Sequence, residues 1–118
     1  MKTKFFNLKT SDGIIQTRYH PLLYTRGHRA HYLALHRDHY RTTKKEWIVS
    51  DPISGYRILR VDASFKGVPV SSHHLTQKQA MMCALSDLDR LVDRIGIDKF
   101  ERVLDAAHDA AEREKNNG

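Results

Sequence analysis

Between Gly13 and Lys45 the chain carries seven arginines or lysines, five histidines and four of its five tyrosines against a single acid, Asp38. Three chemistries suit that mixture: holding phosphates, ligating a metal, and passing protons between imidazoles. For the first, Arg18, Arg26, Arg29, Arg37, Arg41, Lys44 and Lys45 can each meet a phosphate. Tyr19, Tyr24, Tyr32 and Tyr40 offer ring faces on which unpaired bases or guanidinium planes stack. Cations interleaved with aromatic rings distinguish a binding surface from a merely solvated one. An opposite outcome is built into the same chain. The tyrosines can pack inward while the arginines pair with acids further on, at Asp87, Asp89, Asp93 and Asp105.

For metal binding, His28 and His31, then His36 and His39, form two His-x-x-His pairs, and His73-His74 adds two more imidazoles. A zinc site needs four converging donors, or three and a water. The chain has one cysteine and this tract one carboxylate, so neither a metal nor any other cofactor is expected. Adjacent rings such as His73 and His74 would also diverge on a strand.

Acid and base catalysis would place two imidazoles on either side of a phosphate with a cation over the transition-state charge. The parts are present without an ordering motif. His74-Leu75-Thr76 is a lone His-x-Thr, with no second copy, and Thr76 is better used as a helix cap. A histidine-based nuclease is the one enzymatic alternative, and the chain reads as non-enzymatic. It contains no Gly-x-x-x-x-Gly-Lys, Gly-x-Gly-x-x-Gly or Gly-x-Ser-x-Gly.

The charge is polarised along the chain. The formal net charge is +6, and the whole of that excess can be found between residues 13 and 45. Residues 86–114 carry nine acids against five bases. A pI near 9.6 suits a partner rich in phosphate or carboxylate. The single cysteine, Cys83, cannot form an internal disulfide, and the start Met1-Lys2-Thr3-Lys4-Phe5-Phe6 lacks the apolar run of a signal or a span. A cytoplasmic protein with no membrane partner is expected.

The elements that must position these residues follow from periodicity and turn chemistry. At 118 residues and 40% apolar content the chain suits one domain with one core. Phe5, Phe6 and Leu8, then Ser11-Asp12-Gly13, then Ile14, Ile15 and Tyr19, read as a hairpin that Pro21 ends. Residues 20–29 read as an irregular loop. Residues 30–37 fit a strand through Leu33 and Leu35, although Tyr32, Leu35 and His39 also share a helical face. Trp47-Ile48-Val49 and Tyr56 to Val61 read as a second hairpin around Asp51-Pro52 and Gly55, with Trp47 anchoring the core. Residues 62–75 read as a connecting loop.

Thr76 and Gln79 stand at the spacing of a capping box, and an apolar stripe from Ala80 to Ile95 predicts a helix over 77–95 that Gly96 stops. Asp98 and Glu101 repeat the cap spacing before a second helix over 99–114, striped by Phe100, Val103, Leu104 and Ala107. A helix-turn-helix over 77–114 fails on electrostatics, because the second helix is acidic and a major groove would repel it. The expected fold is therefore α+β: a strand-rich N-terminal half, residues 1–61, in which two hairpins form a small antiparallel sheet covered by two C-terminal helices.

Two function classes are expected. The first is a nucleic-acid-binding module using Arg18, Tyr24, Arg26, Arg29, Tyr32, Arg37, Tyr40, Arg41, Lys44 and Lys45. The second is a protein-binding inhibitor or adaptor, of the kind phages and plasmids carry, that docks the same surface on an acidic protein or nucleoprotein. Ala106, Ala107, Ala110 and Ala111 would permit a homodimer seam.

Overall fold

The structure, a computed structural model, describes residues 4–38, 45–64, 66, 68 and 70–117. Five strands come first: β1 (Lys4–Thr10), β2 (Gly13–Tyr24), β3 (His31–Arg37), β4 (Trp47–Ser50) and β5 (Arg57–Arg60). Two helices follow, α1 (Gln77–Ile95) and α2 (Ile97–Asn117), after a short 3-10 turn at Ser72–His74. All four strand pairings are antiparallel, and the spatial order is the chain order. The protein is thus a five-stranded antiparallel meander followed by two helices, the α+β arrangement expected from the sequence.

The first hairpin closes where Thr10 pairs with Gly13 across Ser11 and Asp12, and Gly13 takes the positive φ of 118° that the turn requires. The strand does not stop at Pro21. It runs on to Tyr24, with Pro21 opposite Ala34. Among the described residues β1 begins at Lys4 opposite Tyr19, and Pro21 lies in the part of β2 whose described partner is β3, opposite Ala34.

The sheet has two buried faces. Leu22, Tyr24, Leu33, Leu35, Trp47 and Val49 point to the helices and meet Ala80, Ala84, Leu88 and Val92 of α1 and Phe100 and Leu104 of α2. Alternation sends Ala34 to the opposite face, where Phe6 and Leu8 cover it with Tyr19 packed alongside. β1 therefore folds across the back of the sheet. Lys9 N–H donates to the Gly55 carbonyl at 2.9 Å, and a methyl group on Gly55 would overlap the Asn7 carbonyl oxygen. Gly55 also has φ 82°, so the β4–β5 turn needs glycine for both conformation and clearance.

A register shift at Val49/Ser50 leaves Ile58 without a partner. That bulge turns adjacent Ile58 and Leu59 both toward the helix-side core and leaves Arg57 and Arg60 exposed.

α1 begins as its sequence dictates. Thr76 Oγ accepts from Gln79 N–H at 3.2 Å, and Gln79 Oε1 accepts from Thr76 N–H at 3.0 Å. Gly96, at φ 89°, stops it. The second capping box does not form. α2 starts directly at Ile97, and Glu101 is drawn away from the helix start by a histidine on β3.

Candidate functional site

β3 divides the basic tract. Its seven residues, at about 3.3 Å each, put the loop at residues 25–30 at one end and Asp38 with Lys45 at the other. Residues contiguous in sequence thus form two surfaces rather than one.

At the first end Tyr24 and every basic side chain have an acidic partner on a helix. Tyr24 is buried and its Oη donates to Asp89 Oδ1 at 2.8 Å. Burial, together with that carboxylate, pushes the phenol up to about 12. Arg26 pairs with Asp93 and donates to the Asp89 carbonyl at 3.0 Å, and the Asp93 contact raises its pKa further. Arg29 pairs with Asp105. His28 meets Asp98 at 3.0 Å. Asp87 belongs elsewhere: it accepts the Asp62 amide and pairs with Arg90.

His31 and Glu101 lie 2.6 Å apart, with side chains only 4% and 7% exposed. Burial alone would raise the Glu101 pKa, but the His31 ring and the His28 amide outweigh it and hold the carboxyl below its usual range. Gly27 makes room for the pair, since a methyl group there would sit 2.5 Å from Glu101 Oε2. Among the described residues no group of three or more His, Cys, Asp or Glu is arranged to hold a metal ion. His31 and His36 serve other ends: His31 faces Glu101, and His36 is buried with Nε2 2.7 Å from Ser50 Oγ. His73 and His74 sit on the 3-10 turn with ring centroids 5.6 Å apart, so they touch rather than diverge as they would on a strand.

The second end is built differently among the described residues. A groove of about 330 Å³ runs between the first half of β2 and the ends of β3 and β4, lined by Arg18, His20, Arg37, Asp38 and Lys45 with Gln16 and Thr17. Arg37 organises it. Its guanidinium lies 3.9 Å from the Trp47 ring and donates to the carbonyls of Lys45 at 2.9 Å and His73 at 2.8 Å. Burial lowers the Arg37 pKa from its very high ordinary value. Trp47 is fixed in turn, its indole N–H bonded to the Leu75 carbonyl at 2.9 Å. Asp38 is 3.6 Å from Arg57. Arg18 and Lys45 are exposed at the rim.

No family model matches the chain, and comparison with curated proteins and with solved structures returns no match.

Of the ten tract residues singled out in the sequence, the structure brings together Arg18, Arg37 and Lys45. Tyr24, Arg26 and Arg29 stand at the far end of β3. Tyr32, 70% exposed, lies opposite the half-exposed Leu23 on the outer face of the sheet. Tyr40, Arg41 and Lys44 lie outside the described residues, and so does His39.

A polar cluster that sequence reasoning missed lies beside α2. Buried Asp51 accepts the Ser54 hydroxyl at 2.6 Å and stands 2.9 Å from His108 Nε2. Its carboxylate also takes the amides of Ile53 and Ser54, which shapes the β4–β5 turn. The Ser54 hydroxyl donates its hydrogen bond to the carboxylate and not to the imidazole, unlike a serine-nucleophile relay, in which the hydroxyl bonds to the imidazole. The Asp-x-x-Ser spacing at a turn was the available signal; its link to His108, 57 positions away, had none.

Proposed function

We propose that this protein is a non-enzymatic nucleic-acid-binding module that lays a phosphate backbone in the groove at the Arg37 end of β3. The observation that supports this reading is the lining of that groove: Arg18, Arg37 and Lys45 with His20 beside them, against one acid, Asp38, that already has Arg57 nearby. Arg37 fixes the groove wall, while Arg18 and Lys45 supply exposed cations at its rim. Arg41 and Lys44 fall in sequence between Asp38 and Lys45, so the cationic stretch continues in the connecting segment.

Fluorescence anisotropy with mixed-sequence single-stranded and duplex DNA and RNA tests the proposal. If the five cations named here each neutralise a phosphate, affinity falls several-hundred-fold between about 50 and about 200 mM salt on a duplex. Arg18→Ala with Lys45→Ala should flatten the log–log salt slope by about 1.8. A salt-insensitive affinity, or a slope unchanged by that pair of substitutions, overturns the reading.

A second reading, an inhibitor or adaptor docking on a larger assembly, draws on a different observation. Leu23 and Tyr32 stand side by side on the outer sheet face, 48% and 70% exposed. An exposed tyrosine is among the residue types that interface centres favour. Under this reading oligonucleotides bind feebly at every salt concentration, and Tyr32→Ala abolishes capture of the partner.

A further inference from the structure

The loop at residues 25–30 carries Arg26, His28 and Arg29, which have the chemistry of phosphate ligands, and the helices meet every one of them with a carboxylate. The pairs differ sharply in their access to water. His31 and Glu101 are closed off. Arg26 and Asp93 are 43% and 62% exposed, and Arg29 and Asp105 are 47% and 54% exposed. Exposed pairs of this kind are screened by water and salt and hold each other weakly, so a polyphosphate can compete for the cation. The buried pair, with Gly27 packed over it, anchors the loop whatever the arginines do.

We infer that this loop is a second phosphate-contact site for the same nucleic acid, on a surface separate from the groove and held shut by Asp93 of α1 and Asp105 of α2, which occupy Arg26 and Arg29 in the place of phosphates. The inference rests on the nucleic-acid reading above but concerns the opposite end of β3. The carboxylates act as an intramolecular competitor. They cap the number of phosphates the protein engages and so keep its affinity, and the salt dependence of that affinity, at the value set by the groove.

The arrangement accounts for why acids are placed where they are. Asp89 and Asp93 are four residues apart on one helical face, and both reach Arg26. Asp98, Glu101 and Asp105 are spaced at three and four residues along α2, and they take His28, His31 and Arg29. The chain gains no desolvated, tightly held pair from Arg26 and Arg29, so their partnership with the helices is an exchangeable one.

The test is an epistasis measurement by anisotropy, using a mixed-sequence single-stranded DNA as probe across a salt series. Asp93→Asn with Asp105→Asn should raise affinity at least tenfold at low salt and steepen the log–log slope by up to about 1.4 on a single strand, two contacts' worth. Asp12→Asn with Glu112→Gln makes the same change in net charge at acids that hold neither arginine, and should shift affinity far less. Adding Arg26→Ala and Arg29→Ala to the Asp93→Asn, Asp105→Asn protein should return the slope to the wild-type value. A gain that survives removal of the two arginines, or one matched by the control pair, overturns the inference. If wild type fails to bind while Asp93→Asn with Asp105→Asn binds through the arginines, the groove reading falls and the inference stands. If neither binds, both fall. Circular dichroism of each variant confirms that the fold persists.

Discussion

Replacing Gly55 by alanine tests the placement of β1 across the back of the sheet. Two terms add at this position. An L-residue at φ 82° costs about 1–2 kcal/mol in backbone strain. The new methyl group overlaps the Asn7 carbonyl oxygen, so either β1 or the turn must shift, and the 2.9 Å bond from Lys9 N–H to the Gly55 carbonyl is strained or lost for about another 1 kcal/mol. Movement of β1 also loosens Phe6 and Leu8, which are 6% and 1% exposed. The expected loss is about 2–4 kcal/mol. Gly13→Ala is the internal reference, because Gly13 has φ 118° with nothing within 4 Å of the added methyl group, and it should show the strain alone. Urea unfolding followed by Trp47 fluorescence reads both. With an m value of about 1.5 kcal/mol/M, the Gly55→Ala midpoint should fall by roughly 1.3–2.7 M, against about 0.7–1.3 M for Gly13→Ala. Equal midpoints for the two variants would refute the close approach of β1 to the β4–β5 turn.

Three further outcomes are expected. Thr76→Ala removes half of the capping box and should cost about 1 kcal/mol, seen by calorimetry as a melting point lower by about 4–6 °C; Gln79→Ala should cost less, and the double variant less than the sum. The Glu101 carboxyl is held below its ordinary value of 4.5 in the folded state. Its contribution is therefore present above that value and lost as pH falls through the depressed one, so stability in acid should drop more steeply in wild type than in Glu101→Gln. Tyr24 should ionise near 12 in a titration followed at the phenolate absorbance, and that step should vanish in Tyr24→Phe. Because its folded pKa is raised above the ordinary 10.0, the stability it contributes holds below that value and is lost as pH rises toward 12.

The local parts of the fold were legible because local chemistry decides them. Thr76 with Gln79 announced the start of α1 and Gly96 its end, since both act on the few residues beside them. Asp12-Gly13 and Asp51 to Gly55 marked the turns for the same reason. β3 was ambiguous by pattern, and it is strand because Leu33 and Leu35 face the helices while Ala34 faces β1. Pro21 misled, because whether a strand tolerates proline depends on whether a neighbour needs its N–H, and that neighbour is fixed by pairing with residues distant in sequence. Glu101 misled as well: its spacing from Asp98 fits a cap, but a histidine 70 positions away offers a buried partner. The candidate site was legible in composition and not in geometry. The pairing of Arg26 and Arg29 with helix acids stood among the alternatives, yet the division of the tract by β3 required knowing that the residues between its two halves were extended.

The chain-order meander has a consequence for how the protein is made. Each strand pairs with the one synthesised just before it, so the sheet has every backbone partner it needs once residue 60 or so has left the ribosome. Leu22, Leu33, Leu35, Trp47 and Val49 would then face water, because the side chains that shield them arrive with Ala80 through Leu104. A chain stalled or cleaved before α1 is thus a formed sheet with a bare oily face, and such species aggregate. The order in which this sequence is translated therefore leaves its most cohesive surface uncovered until the acidic helices appear, and the same segment that seals the core also brings the carboxylates that Arg26 and Arg29 pair with.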